Sequence, residues 1–151
     1  MTRVRRAVPG DLPALLRLVD EFCEVDGHPY DERHVRRGLE PLLDDDARGQ
    51  VWVAVREMDL LGYAVLTWGW GLETGGREGL LDEFYVAKRR DGVGSTLLTR
   101  VLAEAGAAGC LTVFLETERP NEAARRFYQR HGFTRQESVW MSIDVGGEPG
   151  T

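Results

Sequence analysis

The stretch Phe84–Leu98, FYVAKRRDGVGSTLL, decides how the rest of the chain is read. An apolar run ends at Val86, the charged residues Lys88, Arg89, Arg90 and Asp91 follow, and Gly92 and Gly94 open a segment with helical periodicity. The pattern predicts a strand, a tight turn and a helix in immediate succession. Such a turn aims consecutive backbone N–H groups and the positive end of the helix into one cavity, which suits an anion such as a pyrophosphate. Two more specific phosphate motifs do not fit. A P-loop places a lysine after its last glycine, whereas Ser95 and Thr96 follow Gly94 directly. A dinucleotide fingerprint wants a further glycine where Leu97 stands. Taken alone, the segment is also accounted for as a plain turn, with glycines supplying positive φ amid solvated charges.

Outward from this turn the chain alternates helical and extended patterns. Arg3 to Ala7 reads as a short strand, and Pro9-Gly10-Asp11 as a turn whose aspartate caps a helix running to about Val25. A second helix is predicted from Asp31 to Leu43, made irregular by Gly38 and Pro41. VWVAV from Val51 and LLGYAVLTW from Leu60 read as paired strands, followed by a glycine-rich loop, GLETGGREG. LLDEFYV from Leu80 is a third strand whose nearly continuous apolar character suggests a central place. The helix Ser95–Ala107, a strand LTVFLET, a helix from Asn121 to His131 ended by Gly132, and a last strand alternating Val139, Met141, Ile143 and Val145 complete the order. Strands and helices in this order predict an α/β (α+β mixed) fold with helices on both faces of a mixed sheet, and a parallel crossover from Leu80 to Thr117.

The chain has 151 residues, 42% hydrophobic and 29% charged, which suits one globular domain, expected over residues 1–145 with a flexible tail at 146–151. A net charge of −6 argues against nucleic acid as a partner and leaves room for cationic molecules. No apolar run approaches the roughly 20 residues of a membrane span, and the opening residues resemble no signal peptide, so a cytoplasmic location is expected. Cys23 and Cys110 match no redox or metal spacing, nor do His28, His34 and His131, so no metal is expected.

Arg89-x-x-Gly92-x-Gly94 at the end of an apolar strand, followed by Asn121-x-x-Ala124-x-x-x-Tyr128-x-x-x-Gly132-Phe133, resembles the GNAT superfamily of acyl-CoA-dependent N-acyltransferases. The opening RVRRAVPGDLPALL is also similar to that family's first strand, turn and helix. The link Ala87-Lys88 is shorter than in most members. The resemblance implies a single domain around a mostly antiparallel central sheet, with acetyl-CoA as the acyl donor. It places the pyrophosphate on Arg89, Arg90, Asp91, Gly92, Val93, Gly94 and Ser95, and the pantetheine arm beside Phe84, Tyr85 and Val86, with Asn121, Ala124 and Tyr128 completing the cofactor contacts. It also turns the Tyr128 hydroxyl toward the CoA sulfur. The reaction implied is direct attack of a primary amine, from a small molecule or peptide, on the thioester. An acyl-CoA-binding or sensing domain without turnover is the alternative, and a Rossmann-type nucleotide enzyme a third.

An alkyl amine with a pKa of about 10.4 is neutral in only about one molecule in 10³ at pH 7, a handicap of roughly 4–5 kcal/mol that a nearby base removes. Asp82 and Glu83 are the candidates, because they interrupt an apolar strand and alternation sends them to opposite faces. Glu83 is preferred, since it shares a face with Tyr85; Asp82 or a water relay remains open, and either carboxylate also reads as a structural ion-pair partner. Tyr128 is the candidate acid, although a phenol near 10 is about 2 kcal/mol short of protonating a thiolate of pKa 8.5. Trp68 and Trp70 share one strand face where they could wall the acceptor site, or equally be buried in a core or a homodimer interface that free sheet edges would allow.

Overall fold

Five strands form one sheet in the order β1 (Arg3–Arg6), β2 (Gly49–Arg56), β3 (Asp59–Gly71), β4 (Gly76–Val86) and β5 (Thr112–Phe114) in the computed structural model, which describes residues 1–87 and 92–147. The first four strands pair antiparallel with their sequence neighbours. β5 lies parallel to β4, which a short turn cannot achieve, and helix α3 (Val93–Ala107) makes the crossover. The chain falls into two compact units, Met1–Glu116 and the segment from Thr117 onward. The sheet belongs to the first.

Strand alternation divides the sheet between two helical layers. Val51, Val53 and Val55 of β2 and Tyr63 and Val65 of β3 face one side, where they pack with Leu15, Leu16 and Val19 of α1 (Leu12–Asp26) and Leu39, Leu42 and Leu43 of α2 (Glu32–Asp44). The intervening Trp52 faces α3, whose Arg100 guanidinium lies 4.9 Å from the Trp52 ring centroid. Val93, Leu97, Leu98, Val101 and Ala105 are the buried stripe of α3. The mixed, mostly antiparallel sheet with helices on both faces is therefore as expected.

Several local expectations change. Asp11 does not cap α1; its carboxylate instead accepts hydrogen bonds from the Arg5 guanidinium and the Val8 N–H. Asp31 does cap α2, accepting from the His34 N–H at 3.2 Å, and Pro41 lies within that helix without ending it. The glycine-rich loop shrinks to residues 72–75, because β3 runs to Gly71 and β4 starts at Gly76. β2, not β4, is the almost fully buried strand. The expected strand LTVFLET is only three residues long.

In the second unit, Asn121 caps α4 (Glu122–Arg130) by accepting from the Ala124 N–H at 3.1 Å, and Gly132 at φ 99° ends the helical turn. Residues 139–145 form no strand; they are exposed and lack regular pairing. Alternation marks a segment able to form a strand, but a strand also needs a neighbour for its ladder and a core for its apolar face.

Candidate active site

The site is built around an irregularity in β4. Val65 pairs with Glu83 and Leu66 with Leu81, so Asp82 is an extra residue that bulges out of the β3–β4 ladder. Past the bulge, regular alternation puts Glu83 and Tyr85 together on the α1 face, opposite Val65 and Tyr63, while Phe84 lies opposite Ala64 on the other face. Beyond Leu80 the two parallel strands part, since β4 pairs with β5 only through Glu78, Gly79 and Leu80. Among the described residues, the outer edge of Leu81–Val86 therefore has no strand beside it.

Glu83 is half-buried. Its Oε1 accepts a hydrogen bond of 2.7 Å from the hydroxyl of Tyr63, a residue with no exposed surface. Burial pushes the Glu83 carboxyl above the ordinary range, and Asp82 and Asp26 add to that push, while the Tyr63 hydrogen bond opposes it. Asp82 is exposed, and water screens the upward push of the surrounding protein on its carboxyl. The Tyr85 hydroxyl donates to Glu21 of α1 at 2.7 Å, and its ring stacks on Phe22 at 5.2 Å. Cys23 lies in the same neighbourhood: burial raises its thiol, and Glu83, Asp20 and Asp26 raise it further, so it is not an activated nucleophile.

Gly92 caps α3 with φ 83° and ψ −14°, a left-handed conformation. A Cβ at Gly92 would meet nothing within 4 Å, so the backbone rather than crowding asks for glycine there. Val93 is buried, anchoring the turn, while Gly94 and Ser95 complete the first turn of the helix. The start of this 15-residue helix carries the partial positive charge that an anionic group requires. Such a helix start could hold a phosphate group. Arg89, Arg90 and Asp91 lie outside the described residues.

Tyr128, Asn121 and Ala124 lie on or beside α4, in the second unit. Burial pushes the Tyr128 phenol up to about 12, and its ring packs edge-on against Phe127 and Phe133 at 5.3 and 5.7 Å. Trp68 and Trp70 are not brought together with Glu83. They alternate onto the α3 side of β3, where the Trp68 indole N–H donates to the Asp46 carbonyl and Arg77 stacks on its ring at 5.1 Å. There Trp68 borders a cavity of about 360 Å³ shared with Asp46, Gln50, Arg77, Glu104, Ala107 and Ala108.

The sequence reading missed Tyr63, Glu21 and Asp26. Tyr63 stands inside an apolar run and reads as core; only the β3–β4 register reveals its hydroxyl beside Glu83.

The model of the acetyltransferase (GNAT) family matches residues 13–133. The chain belongs to this family. Its fold matches an integron cassette protein from the mobile metagenome of Cole Harbour Salt Marsh, with 29% identity, a TM-score of 0.84, and coverage of 95% of this chain and 91% of that one. A possible acetyltransferase from Clostridium difficile gives a TM-score of 0.85 at 19% identity over 97% and 99% of the two chains. An aminoglycoside N-acetyltransferase solved in complex with CoA gives 0.81 at 19% identity, covering 95% of each chain. No curated protein matches the chain significantly. Among the described residues, no helix of this GNAT protein is long and apolar enough to cross a membrane, and no group of three or more His, Cys, Asp or Glu could hold a metal ion.

Proposed function

We propose that this GNAT protein is an N-acetyltransferase that moves the acetyl group of acetyl-CoA to a primary amine of a small molecule or peptide. The observation that carries the reading is the juxtaposition on β4: a half-buried carboxylate, Glu83, on a bulged strand that parts from β5 beyond Leu80 and whose chain leads to the helix start at Gly92. Acetyl-CoA supplies an acetyl group already activated as a thioester. Gly92, Val93, Gly94 and Ser95 bind its phosphates together with Arg89, Arg90 and Asp91 of the preceding sequence, and the backbone of Phe84, Tyr85 and Val86 receives its amide groups.

Glu83 accepts the ammonium proton of the acceptor, and burial, by pushing its carboxyl up, makes it a stronger base than a solvated carboxylate. Asp20, Glu21 and Asp26 on α1 carry further negative charge, which favours a cationic acceptor. Tyr128 serves as the hydrogen-bond donor and proton source at the departing sulfur. With its phenol near 12, full transfer to a thiolate of pKa about 8.5 is roughly 5 kcal/mol uphill, so donation without complete transfer is its larger contribution. The functional unit spans residues 1–145.

Calorimetric titration with acetyl-CoA, with NAD as control, tests the reading alongside Gly92→Asp. Aspartate tolerates a left-handed conformation, so this variant adds negative charge at the helix start with little strain. Binding to the wild type and at least about tenfold weaker binding to the variant are expected. Thiol release is then followed with spermidine, sisomicin, lysine and a short peptide. Binding without turnover across these amines indicates a sensing domain, and preference for NAD overturns the assignment.

A further inference from the structure

We infer that Tyr63 is a positioning residue for Glu83, holding one carboxylate oxygen so that the other is presented to the acceptor amine. This role rests on the reading of Glu83 as the base. The geometry is specific. Tyr63 is wholly buried on β3, cross-strand from Tyr85 and two pairs along from Glu83, and its hydroxyl donates to Glu83 Oε1 at 2.7 Å. A buried phenol in hydrocarbon surroundings needs a partner for its proton, and here the acceptor is a carboxylate, giving a charge-assisted bond of the stronger kind. Burial and the neighbouring Glu83 charge push the phenol further up, so Tyr63 stays neutral and acts only as a donor.

The consequence follows from what faces Glu83. Asp82 on its own strand, Asp26 on α1 and burial all favour the protonated acid, and Cys23 and Tyr85 contribute no positive charge. Among the described residues, the Tyr63 hydroxyl is the opposing influence. Without it the Glu83 carboxyl would be pushed higher still and would be free to rotate. With it, Oε1 is occupied and Oε2 takes the proton: an ammonium N–H bond breaks, an Oε2–H bond forms, and the nitrogen lone pair is released for attack.

The test compares wild type, Tyr63→Phe and Glu83→Gln. In protein labelled with ¹³C at the glutamate side-chain carboxyl, the Glu83 titration is expected to move up by about one pH unit in Tyr63→Phe. With spermidine or sisomicin as acceptor, the acidic limb of the pH–rate profile moves the same way, turnover on that limb falls by up to about tenfold at a given pH, and the KM for acetyl-CoA stays put. Glu83→Gln loses about 10²-fold or more in turnover at every pH. An unchanged Glu83 titration in Tyr63→Phe, or an activity loss equal at all pH values, overturns the role of Tyr63 while leaving Glu83 as the base. Full activity of Glu83→Gln overturns both. If Tyr63→Phe fails to fold, 3,5-difluorotyrosine at position 63 decides: its stronger donor must lower the Glu83 titration, and no movement refutes the role.

Discussion

Asp11 collects three hydrogen bonds, from both terminal nitrogens of Arg5 at 2.8 and 3.0 Å and from the Val8 N–H at 2.8 Å, at a nearly covered position. The Arg5 hydrogen bonds, more than the Val8 amide or the Coulomb attraction, hold its carboxyl below the ordinary aspartate value of 3.8 despite burial. A group whose folded pKa is depressed stabilises the fold above its unfolded pKa and loses that contribution as pH falls through the folded value. Asp11→Asn should therefore lose about 1–3 kcal/mol of stability at pH 7, and the gap to wild type should narrow below about pH 4. Urea unfolding at pH 7 and pH 3 measures both. The sequence shows an aspartate after Pro-Gly and suggests a helix cap, because capping is the local option; the partner that wins comes from β1 by way of a turn that composition does not reveal.

At the scale of elements, α2 carries two residues poorly suited to helices and still forms. Its apolar residues Leu39, Leu42 and Leu43 are buried, and that burial outweighs the intrinsic cost of Gly38 and Pro41. Gly38 is exposed, and a Cβ added there meets nothing within 4 Å. Gly38→Ala should raise stability by about 0.5–1 kcal/mol, which a thermal melt would register as a Tm increase of about 2–4 °C. Element identities were legible wherever periodicity and a turn signal coincided, as in α1, α3, α4 and the β2–β3 pair. What was not legible depends on pairing. The bulge at Asp82 is set by the register between β3 and β4, and the contact of Tyr63 with Glu83 follows from that register. The face shared by Glu83 and Tyr85 was readable from alternation alone. For Trp68 and Trp70, the same alternation put both on one face without saying which helix layer that face meets.

Across the whole chain, burial is unevenly shared. Fully buried side chains cluster on both faces of the sheet, with β2 covered almost throughout, whereas none of the described residues from Thr117 to Gly147 is buried. Apolar alternation in residues 139–145 promised a closing strand, yet those side chains remain exposed, so composition alone overstated how much of the chain contributes to the core. Amide protection depends on the free energy of opening, and opening costs little where few apolar contacts are lost. Hydrogen exchange followed by mass spectrometry should therefore show slowest exchange in β2 and β3 and in the buried turns of α3, and much faster exchange in α4 and in residues 139–145. The magnitude follows from the energetics: each 1.4 kcal/mol less opening energy is about a tenfold faster rate, so a difference of even 3–4 kcal/mol separates the two regions by two to three decades. Acetyl-CoA then provides a second reading of the same experiment. A ligand bound along β4 and at the start of α3 stabilises the state that binds it, so protection in Leu81–Val86 and in residues 92–97 should rise on its addition. Protection of α4 should rise as well if Asn121, Ala124 and Tyr128 take part in binding, and exchange there that ignores the ligand would remove those three residues from the cofactor site while leaving β4 and α3 in it.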